Sequence, residues 1–565
     1  MSELTATGIQ LYGRGELEAA ERAFREAVRN APLDIGRWKN LAAVLLHQKK
    51  YAAALPVVAH MVELKPDLAE AHFDLGTCYN RLGRNGDAIR SYETAIALKP
   101  DWHVAHAHVV NAYLDGCEWD CVDRWREAFD LSMTRLPPES WAQRIQPFVS
   151  LMLLPRDVAK QVAVLHAAAI VKAVGTPDGA PRTMSTRRSR DKIRVGYVSA
   201  DFNQHATAEL TYSLYECHDR RRFEVYGYSI GPNDHGEYRK HIESTCDRFF
   251  DVREESEERI AARLRADEID VLVDMKGYTD GHRMGIFARR AAPVQISYLA
   301  YPGTTGADFF DYFISDAIAT PPGTEDEFTE NLVYMPHTYQ VNHGAQPAPA
   351  GRGVSRSAHH LPEDAFVFCD FNQARKIDRR IFGVWMSILR RVPKGVLWLL
   401  RPDELAEANL RKYARQQGVD PVRLVFAEPV AKSLHVARFG LADLFLDTLI
   451  CNAHTGASDA LWAGVPLLTC PGARFSARVA ASILHAGGLP ELVAGDLSAY
   501  EELAVGLASD PRQLALLKRR LHERRSSSPL FDTGRYVRNL ETAYERMHEL
   551  RCRGKPPQTL HITER

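Results

Sequence analysis

Through the first hundred residues, apolar side chains return every three to four positions, and that pattern itself returns every 34 residues. Ala20, Ala54 and Ala88 share a register, as do Phe24, Val58 and Tyr92, then Ala27, Met61 and Ala95, and finally Pro32, Pro66 and Pro100. Upstream in the same unit, Trp38, Leu41, Ala42 and Leu45 fall against His72, Leu75, Gly76 and Tyr79. A helical period inside a longer fixed period predicts stacked helix pairs. Small residues let the two helices of a pair approach, and the prolines mark the junctions. A fourth round starts at Val109, Val110 and Tyr113 but loses the Ala and Phe positions near Val122 and Arg126. Less regular helical patterning runs on to Val174.

The period and positions are those of tetratricopeptide repeats, with three clean repeats and one degenerate one over residues 1–136. A helical extension follows over 137–174, then a Gly, Pro, Ser, Thr and Arg-rich linker over 175–192. Beyond it the rhythm changes to short β-branched and aromatic runs, at 193–200, 223–230, 270–275 and 294–300. Amphipathic helical stretches separate them. A second set, at 366–371, 396–400, 423–428, 444–448 and 465–470, repeats the alternation. Strand–helix alternation predicts parallel sheets covered on both faces. The expected fold is therefore an all-α repeat superhelix followed by two doubly wound α/β lobes. The lobes span 193–345 and 363–550, joined by a linker at 346–362. The second lobe ends in long helices, and 551–565 reads as a frayed tail.

Composition narrows the function. Among 565 residues, 71 Lys and Arg oppose 72 Asp and Glu, so nothing electrostatic marks a dedicated nucleic-acid or membrane binder. The nine Cys are scattered, without a C-x-x-C pair, which suits free thiols in a reducing compartment. The N-terminus turns polar at once and no apolar run is long enough for a membrane span, so the expected location is the cytoplasm. P-loop, G-x-G-x-x-G, D-x-D and H-E-x-x-H patterns do not occur, which disfavours triphosphate hydrolysis, dinucleotide redox chemistry and metal-held diphosphate.

Ligands of doubly wound sheets bind beyond the carboxyl ends of the strands. In LFLDTLICNAHTGASDALWAG a strand runs into a loop and a short helix. There Thr455 reads as an N-cap, Gly456 leaves the backbone approachable, His454 adds a donor, and Asp459 can accept from sugar hydroxyls. Such a helix start suits an anion, though a capped helix that binds nothing has the same pattern. In FNQARKID, Lys376 precedes an N-cap at Asp378. A cation beside the positive end of a helix makes sense when an anion shares the space, and Gln373 is on the same turn; a solvated surface Lys is the competing explanation. His205, in FNQHATAEL, is either a helix cap or a general base. His435 can stack on a base, with Lys432 and Arg438 near a phosphate, or simply belong to a surface helix.

The segments VGYVSADFNQHATAEL, DMKGYTDG, YPGTTGADFFDYFISD, YMPHTY, FNQARKID, RVPKGVLWLLR and LADLFLDTLICNAHTGASDALWAGVPLLTCPGARFSARVAAS closely resemble the O-linked N-acetylglucosamine transferase family, glycosyltransferase family 41. That family joins tetratricopeptide repeats to a two-lobed transferase of the GT-B type. The resemblance spans nearly the whole chain. It is to a bacterial member, because the large insertion between the lobes of the animal enzymes has no counterpart beyond 341–362. It implies inverting, metal-independent transfer of N-acetylglucosamine from its uridine diphosphate donor to Ser or Thr hydroxyls, with no cofactor. The donor and an acceptor protein, held in the repeat groove and inter-lobe cleft, would be the partners.

Matched motif by motif, the resemblance gives His205 the place of the catalytic base or positioning histidine, and Lys376, with Gln373 beside it, that of the leaving-group lysine. Val430, Ala431 and Lys432 would read the base edge, His435 stack on uracil, and Arg438 serve as a nearby cation. His454, Thr455 and Gly456 would hold the diphosphate, and Asp459 the ribose. Two positions depart from the family: Gly456 stands for a hydroxyl-bearing residue and Arg375 for an aromatic one. The asparagine ladder that grips acceptors in the animal enzymes reads Ala6, Asn40, Asp74 and His108 here. Alternatives are a Spindly-like protein O-fucosyltransferase using guanosine diphosphate fucose, a transferase for glycan or lipid-linked acceptors, and a repeat adaptor with vestigial lobes.

Overall fold

The computed structural model describes residues 3–175, 192–346 and 354–564. Outside these lie 176–191 of the linker expected at 175–192, and 347–353 of the linker expected at 346–362. Two compact units emerge. One joins residues 1–146 to 373–375 and 401–413; the other holds 147–372, 376–400 and 414–565.

In the first unit, four helix pairs follow one another. They are Glu3–Gly13 with Leu17–Asn30, Ile35–His47 with Tyr51–Leu64, Ala69–Arg81 with Asn85–Leu98, and His103–Asp115 with Trp119–Arg135. The 34-residue register is also a hydrogen-bond register. Trp38 Nε1 donates to the carbonyl of Pro32 (2.7 Å), His72 Nε2 to Pro66 (2.8 Å) and His106 Nε2 to Pro100 (2.9 Å), so each second-helix-to-next-repeat turn is closed by a ring N–H. Small residues do what the pattern demands: a Cβ on Gly76 would stand 2.7 Å from the Tyr92 ring. The degenerate repeat still folds as a helix pair, because Trp125 and Phe129 stack at 4.9 Å and bury where the signature lapses.

This unit also captures pieces of the later chain. Arg375 forms a two-pronged pair with Asp115 (2.7 and 2.6 Å), and Asn409 Nδ2 donates to the Gly116 carbonyl (2.8 Å). Tyr413 stacks on Trp119 at 4.4 Å. Its chain boundary, at Gln146, lies past the expected end of the repeats at 136.

The second unit holds two sheets. Strands β1 (Ile193–Ser199), β2 (Phe223–Ser229), β3 (Arg248–Asp251), β4 (Val271–Asp274), β5 (Val294–Ser297), β6 (Tyr312–Asp316) and β7 (Asn331–Met335) build the first. Strands β8 (Phe366–Asp370), β9 (Gly395–Leu400), β10 (Leu424–Ala427), β11 (Leu444–Leu446) and β12 (Leu467–Leu468) build the second. A last strand, β13 (Leu560–His561), completes the first sheet, whose order is β13-β7-β6-β5-β4-β1-β2-β3; the second runs β10-β9-β8-β11-β12. Every pairing is parallel, as in β1 to β4, where Val195 faces Val271. Parallel strands packed on both faces are apolar runs, which is why β4 is buried throughout.

Two expectations are corrected here. Residues 551–565 are not a frayed tail: Leu560 and His561 pair with Val333 and Tyr334, and the His561 ring stacks on Tyr334 at 4.7 Å. The terminal helix Thr533–Cys552 does not belong to the second lobe alone. Its Glu541 accepts from the His218 ring (3.1 Å) and from the Asp219 N–H (2.7 Å), both in the first lobe, and Tyr544 meets Tyr197 at 3.2 Å between hydroxyls. Strands β3, β6 and β7 escaped the sequence reading: β3 is bounded by Arg248 and Asp251, β6 by Tyr312 and Asp316, and β7 opens on Asn331. Among the described residues no helix is long and apolar enough to cross a membrane.

Candidate functional site

Four strand ends share one device. An Asp closes β4, β6 and β8, and another follows β11, and each turns its carboxylate back onto the N–H groups of its own turn. Asp274 accepts from Lys276 (3.0 Å) and Gly277 (2.9 Å), and Asp316 from Ile318 (2.9 Å) and Ala319 (2.8 Å). Asp370 accepts from the Asn372 N–H (3.1 Å), and Asp447 from Thr448 (2.9 Å) and Ala453 (2.7 Å). Burial pushes Asp274, Asp370 and Asp447 each up to about 7. These carboxylates shape the loops that carry the candidate chemistry.

The turn after β8 sets Lys376 beside the loop after β11. Asp370 also accepts from the Asn372 side-chain amide (2.7 Å), and Asn372 in turn accepts from Lys376 Nζ (3.4 Å). Lys376 Nζ donates to the carbonyl of Asn452 as well (2.7 Å). Asp378 caps the next helix, accepting from Arg380 (2.7 Å) and Ile381 (3.0 Å), as the pattern predicted. Gln373, on the same turn, is exposed and groups with the repeat unit.

The helix Thr455–Trp462 begins one residue earlier than expected: His454, not Thr455, holds the cap position, and no side chain caps it. The His454 imidazole donates from Nε2 to the Ser476 carbonyl (3.2 Å). Burial and then the neighbouring Lys376 charge hold its pKa down to about 3, so the ring is neutral. Gly456 has only Ala453 Cβ near its missing Cβ, at 3.9 Å, which leaves the helix start open to a ligand. Helix starts carry unmatched N–H groups and the positive end of the dipole.

The helix Lys432–Phe439 forms the second flank. Val430 and Ala431 are exposed on its approach, and His435 sits against Phe371 and Phe439 at 5.3 and 5.1 Å. Arg438 is corrected from an open cation to a buried buttress: its guanidinium lies over Phe371 (4.6 Å) and donates to His435 Nδ1 (2.6 Å) and to the Glu428 carbonyl. Burial, with Arg438 and Lys432 near, brings His435 down to about 3. The ring is thus a neutral, oriented plate. Lys432 does not face outward either. Its ammonium bridges both oxygens of Asp459 (2.8 Å each) to Glu209 (2.6 Å), a first-lobe residue. Despite burial, Asp459 and Glu209 hold Lys432 above the usual lysine range.

His205 caps the helix Ala206–Thr211, its Nδ1 accepting from the Thr207 N–H at 3.1 Å. The same nitrogen lies 3.5 Å from Asp201, which Lys276 anchors at 2.6 Å. With Nδ1 accepting, the neutral ring carries its proton on Nε2 and offers a donor there. To accept a proton at Nε2, the ring must shift its own proton to Nδ1 and turn it toward Asp201. Burial is the main cause that lowers the His205 pKa.

Sequence reasoning missed Glu209, Asp201, Lys276, Asn372, Asp370 and Asp447. A usable signal existed for the aspartates: an acidic residue ending an apolar strand and followed by a turn. Glu209 gave none, because its partner is more than two hundred positions away. Among the described residues, no group of three or more His, Cys, Asp or Glu side chains is arranged to hold a metal ion.

A helical-repeat unit joined to two all-parallel sheets, with basic and imidazole side chains at the strand ends of the second, defines a repeat-bearing glycosyltransferase architecture. Residues 5–69 and 45–109 match tetratricopeptide repeat families, and 130–350 and 351–540 match glycosyl transferase family 41, to which the chain belongs. It is 39% identical over 433 residues to a protein of Arabidopsis thaliana described as a probable UDP-N-acetylglucosamine–peptide N-acetylglucosaminyltransferase SEC, covering 74% of this chain and 44% of that one. To the UDP-N-acetylglucosamine–peptide N-acetylglucosaminyltransferase of Caenorhabditis elegans it is 32% identical over 483 residues, covering 66% and 42%. The chain spans less than half the length of these relatives. A mutant of the Thermobaculum terrenum O-GlcNAc transferase matches 98% of both chains with a TM-score of 0.74 and 27% identity.

Proposed function

We propose that this chain transfers N-acetylglucosamine from uridine diphosphate N-acetylglucosamine to Ser or Thr hydroxyls of a protein, inverting the anomeric carbon without a metal ion or cofactor. The convergence of Lys376, His454 and the helix start at Thr455 on the ends of β8 and β11 supports this reading most directly. Departure of a nucleoside diphosphate builds negative charge, and preorganised cations and N–H donors placed there lower the barrier. In this reading Lys376 meets the leaving diphosphate, with Gln373 on its turn, and His454, Thr455 and Gly456 cradle the phosphates. His435 stacks on the base, held in plane by Arg438, while the backbone of Val430, Ala431 and Lys432 lines the base edge and Asp459 takes the ribose. His205 orients the acceptor hydroxyl or takes its proton, and the repeats bring the acceptor. A cytoplasmic setting is part of the proposal, supported by nine cysteines that form no disulfide. The names of the relatives and of the structural neighbour support the donor and the peptide acceptor.

Calorimetric titration without added metal, with uridine diphosphate and separately guanosine diphosphate, tests the donor. The expected result is uridine binding that Lys376→Ala weakens. Guanosine preference would move the donor sugar to fucose, and binding of neither would favour an adaptor.

A further inference from the structure

Glu209 is placed to do more than decorate a helix. Its N–H donates to the His205 carbonyl (3.0 Å), one turn back, and its carboxylate accepts from Lys432 Nζ (2.6 Å). Lys432 opens the helix that carries His435 and also grips both oxygens of Asp459. One ammonium therefore spans three elements: the helix capped by His205, the helix of the candidate base-stacking residue, and the helix of the candidate ribose carboxylate. The side chains of Lys432, Glu209 and Asp459 keep only 16%, 17% and 6% of their surface exposed. Charges this sheltered keep their geometry, because breaking a pair strands the partner in a poor solvent.

Resting on the donor reading above, we propose that Glu209 is a positioning residue for the transfer step: through Lys432 it fixes His205 at a set distance from the bound nucleoside. The nucleotide itself lies on the second lobe, while His205 lies on the first, so their spacing is an inter-lobe quantity. The Glu209–Lys432 pair is a polar contact that ties that spacing to the nucleoside subsite. A displacement of about 1 Å between reacting groups is enough to cost on the order of a hundredfold in rate.

The test is Glu209→Ala beside Glu209→Gln, which retains an oxygen for Lys432. Calorimetry with uridine diphosphate counts competent sites and reports affinity. Turnover per competent site follows from uridine diphosphate release from the sugar donor with a pool of synthetic Ser/Thr peptides. Expected for Glu209→Ala is nucleotide affinity within about twofold of wild type, turnover per site lower by about ten- to a hundredfold, and partial rescue in Glu209→Gln. Hydrogen exchange at amides 206–211 should quicken in the Ala variant. Wild-type turnover per site with unchanged exchange would overturn the proposal, as would affinity falling in step with turnover. If wild type itself ignores uridine nucleotides, the donor reading fails, whereas exchange at 206–211 still decides whether Glu209 holds the helix.

Discussion

Lys376 Nζ lies 2.7 Å from the backbone carbonyl of Asn452, so one cation joins the turn after β8 to the loop after β11. Asn372 holds it from one side, and Asp447, by accepting from Ala453, holds the loop from the other. The ammonium is thus placed before any ligand arrives. Preorganisation of this kind is what makes a charge useful to a transition state.

Lys376→Ala should lower transfer by about a hundredfold or more while leaving the thermal midpoint near wild type, since the side chain contributes little buried apolar surface. Steady-state turnover and a thermal melt on the same preparation check both halves. Near-normal turnover would remove Lys376 from the leaving-group role.

His205 is at once a cap and a candidate base, and two substitutions separate these duties. Asn caps helices well but does not take a proton at neutral pH. His205→Ala should lose about 1 kcal/mol of stability and His205→Asn much less. Both should lose transfer while keeping nucleotide affinity. Denaturant titration with calorimetry distinguishes the cases, and retained turnover in the Asn variant would confine His205 to capping.

The Arg375–Asp115 pair welds the segment beside Lys376 into the repeat unit, with both side chains about three-quarters sheltered. A double-mutant cycle with Arg375→Ala and Asp115→Ala should return a coupling of about 1 kcal/mol, since two parallel charge-assisted bonds exceed an ordinary surface pair. Coupling near zero would show the pair to be incidental.

Gly76→Ala tests the repeat packing. Helix propensity alone favours Ala by about 1 kcal/mol. The new methyl would meet the buried Tyr92 ring, however, so a net loss of about 1–3 kcal/mol is expected from overpacking. A stabilised variant would mean that the ring yields without cost.

Acid sensitivity has a local marker in His343, whose Nδ1 pairs with the Ser213 hydroxyl at 2.8 Å. Burial lowers its pKa from the ordinary imidazole value of 6.5 to about 4. Below pH 6.5 the unfolded chain takes up a proton that the folded chain refuses until about pH 4, so this group's contribution to stability falls as pH drops through that window. His343→Gln should therefore lose less stability than wild type on acidification. Denaturant midpoints at pH 7.5, about 5.5 and about 4.5 provide the comparison. Parallel curves would assign the acid limb to other groups. Asp274, Asp370 and Asp447 act in the opposite sense: their raised pKa values make the folded state gain as pH falls from 7.

By itself, the sequence determined the repeat unit and most of the parallel strands, because both rest on short-range periodicity. A 34-residue spacing that places Trp38, His72 and His106 alike also places their bonds to Pro32, Pro66 and Pro100 alike. The turns bearing Lys376 and His454 were legible for the same reason, since strand ends and helix starts are local features. What only the tertiary structure decided is how charges distant in sequence pair. Arg438 reads as a free cation until Phe371 and His435 are seen around it. Lys432 reads as a ligand for phosphate until Glu209 and Asp459 claim it. The tail reads as frayed until Leu560 finds Val333. Hydrophobic periodicity is written in neighbouring residues, whereas an ion pair or an added strand depends on segments that meet only once the chain has folded.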